Sequence, residues 1–144
     1  MVAIMTVVIF VEVTASRMEM LACELAEHTY AQGDRLQIIA IDEEQAARLD
    51  DLLWTYKPDN FVPHGRWKGM DSESDQPVII TTRKEPVPGT TSLLTMDYCP
   101  VKIIRQFSKV IHVVVVDNQE RLEASRRYWT LLKDAGFSLT HQKG

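Results

Sequence analysis

Cysteine is scarce in this sequence. Cys23 and Cys99 stand far apart with no C-x-x-C pair, which excludes a zinc knuckle and a disulfide scaffold. The expectation is two buried, reduced thiols in a cytoplasmic protein. Long apolar runs are also missing: the N-terminal one, Thr6–Val13 (TVVIFVEV), is about eight residues long, is broken by Glu12 and has no cationic segment before it. It reads as neither a signal peptide nor a membrane span. Glycine is limited to positions 33, 65, 69, 89, 136 and 144, and none opens the first helix, where the link is Glu12-Val-Thr-Ala-Ser16. Neither G-x-G-x-x-G nor G-x-x-x-x-G-K-[ST] occurs, so both common backbone cradles for phosphate are absent.

Catalytic and metal patterns are missing as well. His28, His64, His112 and His141 show no H-x-x-x-H or H-E-x-x-H spacing, and no serine sits in a G-x-S-x-G elbow. His112 lies in an apolar strand and reads as a structural histidine, while His141 falls in what reads as a frayed tail. Asp42-Glu-Glu44 and Asp50-Asp51 read as helix-start and helix-surface charges. No catalytic group, metal site or cofactor is expected.

What is present is an ordinary globular balance, 45% apolar and 25% charged, in 144 residues. That length suits a single domain over 1–144. The net charge of −4 gives no whole-molecule attraction to nucleic acid. It hides an asymmetry: residues 1–100 carry 8 Lys/Arg against 16 Asp/Glu, and residues 101–144 carry 8 against 4.

Hydrophobic periodicity gives the architecture. The run up to Val13 reads as a buried strand, Ser16-Arg-Met-Glu19 as a capping box, and Met18 to Thr29 as a helix stopped by Gly33. Arg35–Ile41 is a second strand, and Asp42 opens a second helix. Trp54 begins a proline-punctuated stretch holding at most a short edge element, followed by a loop at Gly65–Gln76. Pro77–Thr82, Thr91–Met96 and Val110–Val116 read as strands, residues 101–109 stay ambiguous, and Asp117 caps a last helix over about 118–135. The expected fold is three-layer α/β with a mostly parallel sheet, joined by right-handed crossovers, resembling nucleotide-binding folds without a phosphate loop. Residues from about 138 to 144 are expected to form a flexible tail.

Two clusters remain. The first is Trp54, Tyr56, Pro58, Phe61, Val62, Pro63 and His64, large aromatics in a stiffened loop that either cover the sheet end or anchor a partner. The second lies on the last helix. Wheel arithmetic turns Ala124, Ser125, Tyr128, Leu131, Leu132 and Ala135 toward the sheet, with Leu122 and Trp129 at the edge of that arc. Arg126 and Lys133 flank Trp129 at i−3 and i+4. The stripe suits an acidic peptide with an apolar terminal residue or a single nucleic-acid strand, or is simply an amphipathic boundary.

These clusters resemble the chi subunit family of bacterial DNA polymerase III holoenzyme. The resemblance rests on Leu49-Asp-Asp-Leu-Leu-Trp54 with Phe61-Val-Pro-His64, on Pro77-Val-Ile-Ile80, on Val116-Asp117, and on Arg126-x-x-Trp129 running to Ala135-Gly-Phe137. It implies a non-catalytic accessory subunit, without membrane contact. Such a subunit is joined to the clamp loader through a psi subunit and to DNA indirectly, through the acidic, Phe-terminated tail of single-stranded-DNA-binding protein. Trp54 and Phe61, with Pro58, Val62, Pro63 and His64, correspond to the psi surface. Val115, Leu122, Arg126, Arg127, Trp129, Lys133 and Phe137 correspond to the tail site. Trp129 stands where tyrosine is common, and Leu122 and Thr130 where some members carry lysine; Arg127 and Lys133 are expected to supply that charge. The alternatives are a diverged small nucleotide-dependent enzyme and a direct single-stranded-DNA binder.

Overall fold

The computed structural model describes residues 5–57, 59, 61–67 and 75–144. Seven parallel strands form one sheet: β1 (Val7–Val13), β2 (Leu36–Ile39), β3 (His64–Arg66), β4 (Val78–Thr81), β5 (Ser92–Thr95), β6 (Lys109–Val115) and β7 (Ser138–Lys143), in the order β3-β4-β2-β5-β6-β1-β7. Helices α1 (Met18–Ala31) and α2 (Glu43–Thr55) cover one face; the short α3 (Val101–Ile104) and α4 (Gln119–Asp134) cover the other. The three-layer, parallel α/β expectation holds.

Burial on both faces explains the strand composition. In β6, Ile111, Val113 and Val115 pack toward α1 and α2, while Val110 and Val114 pack toward α3 and α4. β2, β4 and β5 are buried along their whole length. Such strands read as continuous apolar runs because neither face meets water.

The helix boundaries follow local chemistry, with two corrections. Asp42 caps α2 as expected, its carboxylate accepting from Gln45 N at 2.8 Å, and the Gln45 side chain returns the favour to Ile41 N at 2.8 Å. Gly33 and Gly136 end α1 and α4 at φ of 81° and 92°, where a side chain would be strained. Ser16 does not cap α1, which is entered through a 3-10 turn at Ala15–Arg17 without a side-chain cap. Nor does Asp117 cap α4; Asn118 does, accepting from Arg121 N at 3.0 Å.

Asp117 instead crosses between strand ends, its Oδ1 accepting from Ala15 N at 2.8 Å. That bond fixes the β1–α1 turn to the β6–α4 turn. Asp117→Ala is expected to cost about 1 kcal/mol, lowering the thermal midpoint by roughly 2–4 °C; an unchanged midpoint in calorimetry would show that the bond is replaced by water at no cost.

The segment expected to be a flexible tail is strand β7, paired in parallel with β1 from Val7↔Ser138 to Glu12↔Lys143. Its sequence, SLTHQK, has no apolar alternation because five of its six residues are exposed. The strand exists because β1 offers a free edge. Residues 101–109 resolve into α3, a connecting turn and the start of β6.

Candidate functional site

In nucleotide-binding α/β domains the turn after β1 presents backbone N–H groups to phosphate. Here the Ala15 N–H at that turn is already taken by the Asp117 carboxylate. A resident anion at this point disfavours a second one. Among the described residues, no cluster of three His, Cys, Asp or Glu could hold a metal ion, and no helix is long and apolar enough to cross a membrane. Cys23 and Cys99 are buried free thiols. Burial pushes Cys23 up to about 12 and Cys99 up to about 11, so both stay protonated.

The aromatic cluster splits into an exposed pair and its support. Trp54, in the last turn of α2, is 59% exposed, and Phe61 beside it is 50% exposed, with ring centroids 4.9 Å apart. Below them lies His64, whose side chain is fully buried. Its ring meets Trp54 nearly edge-on at 5.1 Å and Phe61 at 6.0 Å. His64 Nδ1 faces the Val62 carbonyl at 2.8 Å, and Nε2 lies 2.9 Å from Asp50 Oδ1. Asp50 and Trp54 are one turn apart on α2, so one helix both presents the indole and anchors its base. Val62 is fully buried and Pro63 half-buried; Pro58 lies outside the described residues. Of the described residues expected to bind psi, then, Trp54 and Phe61 are the exposed ones. His64 packs beneath both rings, and the Val62 carbonyl meets His64 Nδ1.

α4 has a cavity on each flank. Ser125, Tyr128 and Leu132 face the sheet, whereas Ala124 and Leu131, placed inward by the wheel, are exposed. One cavity, of about 680 Å³, brings Leu122, Arg126 and Trp129 together with Phe10, Glu12, Val114 and His141. Trp129 stands edge-on against Phe10 at 5.1 Å, which makes the floor aromatic. The other, of about 320 Å³, lies at the carboxyl ends of β5 and β6 and takes Val115 and Arg127 with His112, Arg121 and Leu131.

The residues expected to form one tail site are therefore divided. Leu122, Arg126 and Trp129 meet in the larger cavity, and Val115 and Arg127 line the other. Phe137 packs beneath the Arg105 guanidinium, 4.7 Å from its ring. Lys133 lines neither cavity. Successive strand residues face opposite ways, so it is Val114, not Val115, that joins Arg126 in the larger cavity. Phe10, Glu12, Val114 and His141 escaped the sequence reading. Glu12, a charge inside an apolar strand, was their one visible signal. Its carboxylate pairs with His141 Nε2 at 2.6 Å.

His112 forms part of the wall between sheet and α4. Nδ1 lies 3.0 Å from Thr95 Oγ1 and Nε2 3.2 Å from Ser125 Oγ. Two hydroxyls, each able to donate or accept, satisfy a neutral imidazole. Burial lowers its pKa to about 4, the opposing pull of Asp97 being too small to restore it and Arg121 adding to the depression.

These features define a class: α/β domains with the layers of a nucleotide-binding protein, a carboxylate at its phosphate position, and surfaces carrying an aromatic pair and a cation–indole cleft. Residues 5–140 match the family model described as DNA polymerase III chi subunit, HolC. Similar proteins include the DNA polymerase III subunit chi of Escherichia coli (strain K12), 30% identical over 125 residues that cover 86% of this chain and 84% of that protein. That of Pseudomonas aeruginosa is 26% identical over 118 residues, covering 82% and 80%, and that of Haemophilus influenzae 27% over 111, covering 76% of each. The chain belongs to the DNA polymerase III chi-subunit family, and its setting is DNA replication.

Proposed function

We propose that this chain is a non-catalytic bridge of the replication machinery. It binds a psi subunit through Trp54 and Phe61, and it holds the acidic, Phe-terminated tail of single-stranded-DNA-binding protein in the Arg126–Trp129 cavity. The clamp loader and DNA are reached only through these two proteins. The reading rests above all on that cavity, in which one guanidinium stands beside an indole over the apolar floor of Phe10, Val114 and Leu122. A terminal carboxylate gains a charge-assisted hydrogen bond from Arg126, and a terminal phenyl ring gains Trp129 and Phe10 as walls. Only part of the larger cavity is needed for one side chain, so flanking acidic residues remain near the basic third of the chain.

The test is calorimetric titration with a synthetic acidic peptide ending in Phe. Arg126→Ala is expected to weaken binding about 10- to 100-fold, the loss of one charged hydrogen bond of about 1.5–3 kcal/mol. Rising salt is expected to weaken the wild-type complex and to affect the variant less. Equal affinity for the two proteins would remove the peptide from this cavity. A labelled oligonucleotide titrated without a partner protein separates this reading from direct strand binding, which predicts saturable, salt-sensitive binding.

A further inference from the structure

A cavity suited to an acidic peptide should be free of carboxylates, yet Glu12 stands inside this one. Its register explains how. β1 alternates faces, so Glu12 shares the α4 side with Phe10, and β7 lies alongside with His141 opposite Phe10. The His141 ring therefore reaches diagonally to Glu12, and Nε2 bonds its carboxylate at 2.6 Å. His141 is about half exposed, with a side-chain accessibility of 52%. Nδ1 carries no hydrogen bond to the described residues, which leaves it to an acceptor from outside.

The charged groups around this ring are few. β1 contributes Glu12, α4 contributes Arg126, and Lys143 follows two residues later on β7 itself. With His141 neutral, an acidic peptide meets one cation, Arg126, and one competing anion, Glu12. With His141 protonated, Glu12 is neutralised and the second N–H of the imidazolium becomes a donor.

We propose that His141 is the second cationic contact of the peptide cavity, and that Glu12 holds it there so that capture of an acidic chain end takes up a proton. This rests on the peptide-binding role assigned to the cavity above. Imidazole changes charge between about pH 5 and 8, while peptide carboxylates stay ionised over most of that range. The proton taken up therefore belongs to the protein.

The experiment is titration calorimetry of the full chain with the acidic, Phe-terminated peptide at pH 6, 7 and 8, each in two buffers of different ionisation enthalpy. For the wild type, affinity is expected to rise about tenfold from pH 8 to pH 6, equivalent to about 1.4 kcal/mol, with net proton uptake on binding. His141→Gln should bind with the weak pH 8 affinity throughout and take up no proton. Glu12→Gln should bind at pH 8 more tightly than the wild type, because the competing anion is gone. Circular dichroism and the thermal midpoint of both variants check that the fold is retained. Wild-type binding that is independent of pH and of buffer overturns the proton-linked contact alone, as does weaker binding by Glu12→Gln at pH 8. No wild-type binding at any pH overturns the peptide-binding role and this inference with it.

Discussion

Replacing Trp54 or Phe61 with alanine is expected to abolish co-purification with a psi partner while leaving the fold unchanged. Both rings are at least half exposed, so their removal opens no cavity in the core. Their contact at 4.9 Å lets the partner meet one continuous aromatic surface. Anchors of this kind cost about 2–4 kcal/mol on truncation, a loss of roughly 30- to 1,000-fold in affinity. The double variant is expected to lose less than the sum, because each ring helps hold the other. Affinity by calorimetry and midpoint by thermal unfolding separate contact from structure. An unfolded Trp54→Ala protein would mean that the indole supports α2, and an unchanged affinity would place the partner elsewhere.

His64 and Val62 form the contrast. Both lie in the same sequence cluster, and both are buried. Replacing them is expected to damage the platform from below, so lost binding in those variants would carry no information about contact. The distinction between Phe61 and Val62, neighbours in sequence, is a matter of one residue's direction.

That direction is also what the sequence conceals elsewhere. Elements set by local chemistry were legible: the apolar runs of β1, β2, β4, β5 and β6, the Asp42 cap, and the glycine stops at 33 and 136. β7 was not, since nothing in SLTHQK asks for a strand; its backbone is ordered by the free edge of β1, more than a hundred residues away. Two adjacent Asx residues, Asp117 and Asn118, both suit a helix start, and only the crossing bond to Ala15 separates their roles. In the cleft, Arg126 and Trp129 were visible through helical spacing. The strand contribution was not, because a strand buried on both faces gives no alternation by which to choose Val114 over Val115. His141 was lost with the strand that carries it.

Acid is expected to destabilise the protein through His112, by about 3 kcal/mol between pH 7 and pH 4. The ring is 4% exposed and packs between Phe10, at 4.7 Å, and Tyr128, at 4.9 Å. Burial holds its pKa near 4, against 6.5 for a free imidazole. The native state thus stays neutral while the unfolded chain gains a proton, and stability is full above about pH 6.5 and falls as pH drops toward 4. The size follows from roughly 2.5 pKa units at 1.36 kcal/mol each. Urea unfolding at pH 7, 5.5 and 4 measures it. His112→Gln can keep partners at Thr95 and Ser125 but cannot titrate, so its stability should fall less across that interval by the same amount. Equal slopes for variant and wild type would show that folding leaves the proton affinity of His112 unchanged. Because Ser125 ties His112 to α4, the helix that carries both Arg126 and Trp129, protonation of His112 is expected to loosen the Arg126–Trp129 cavity as well.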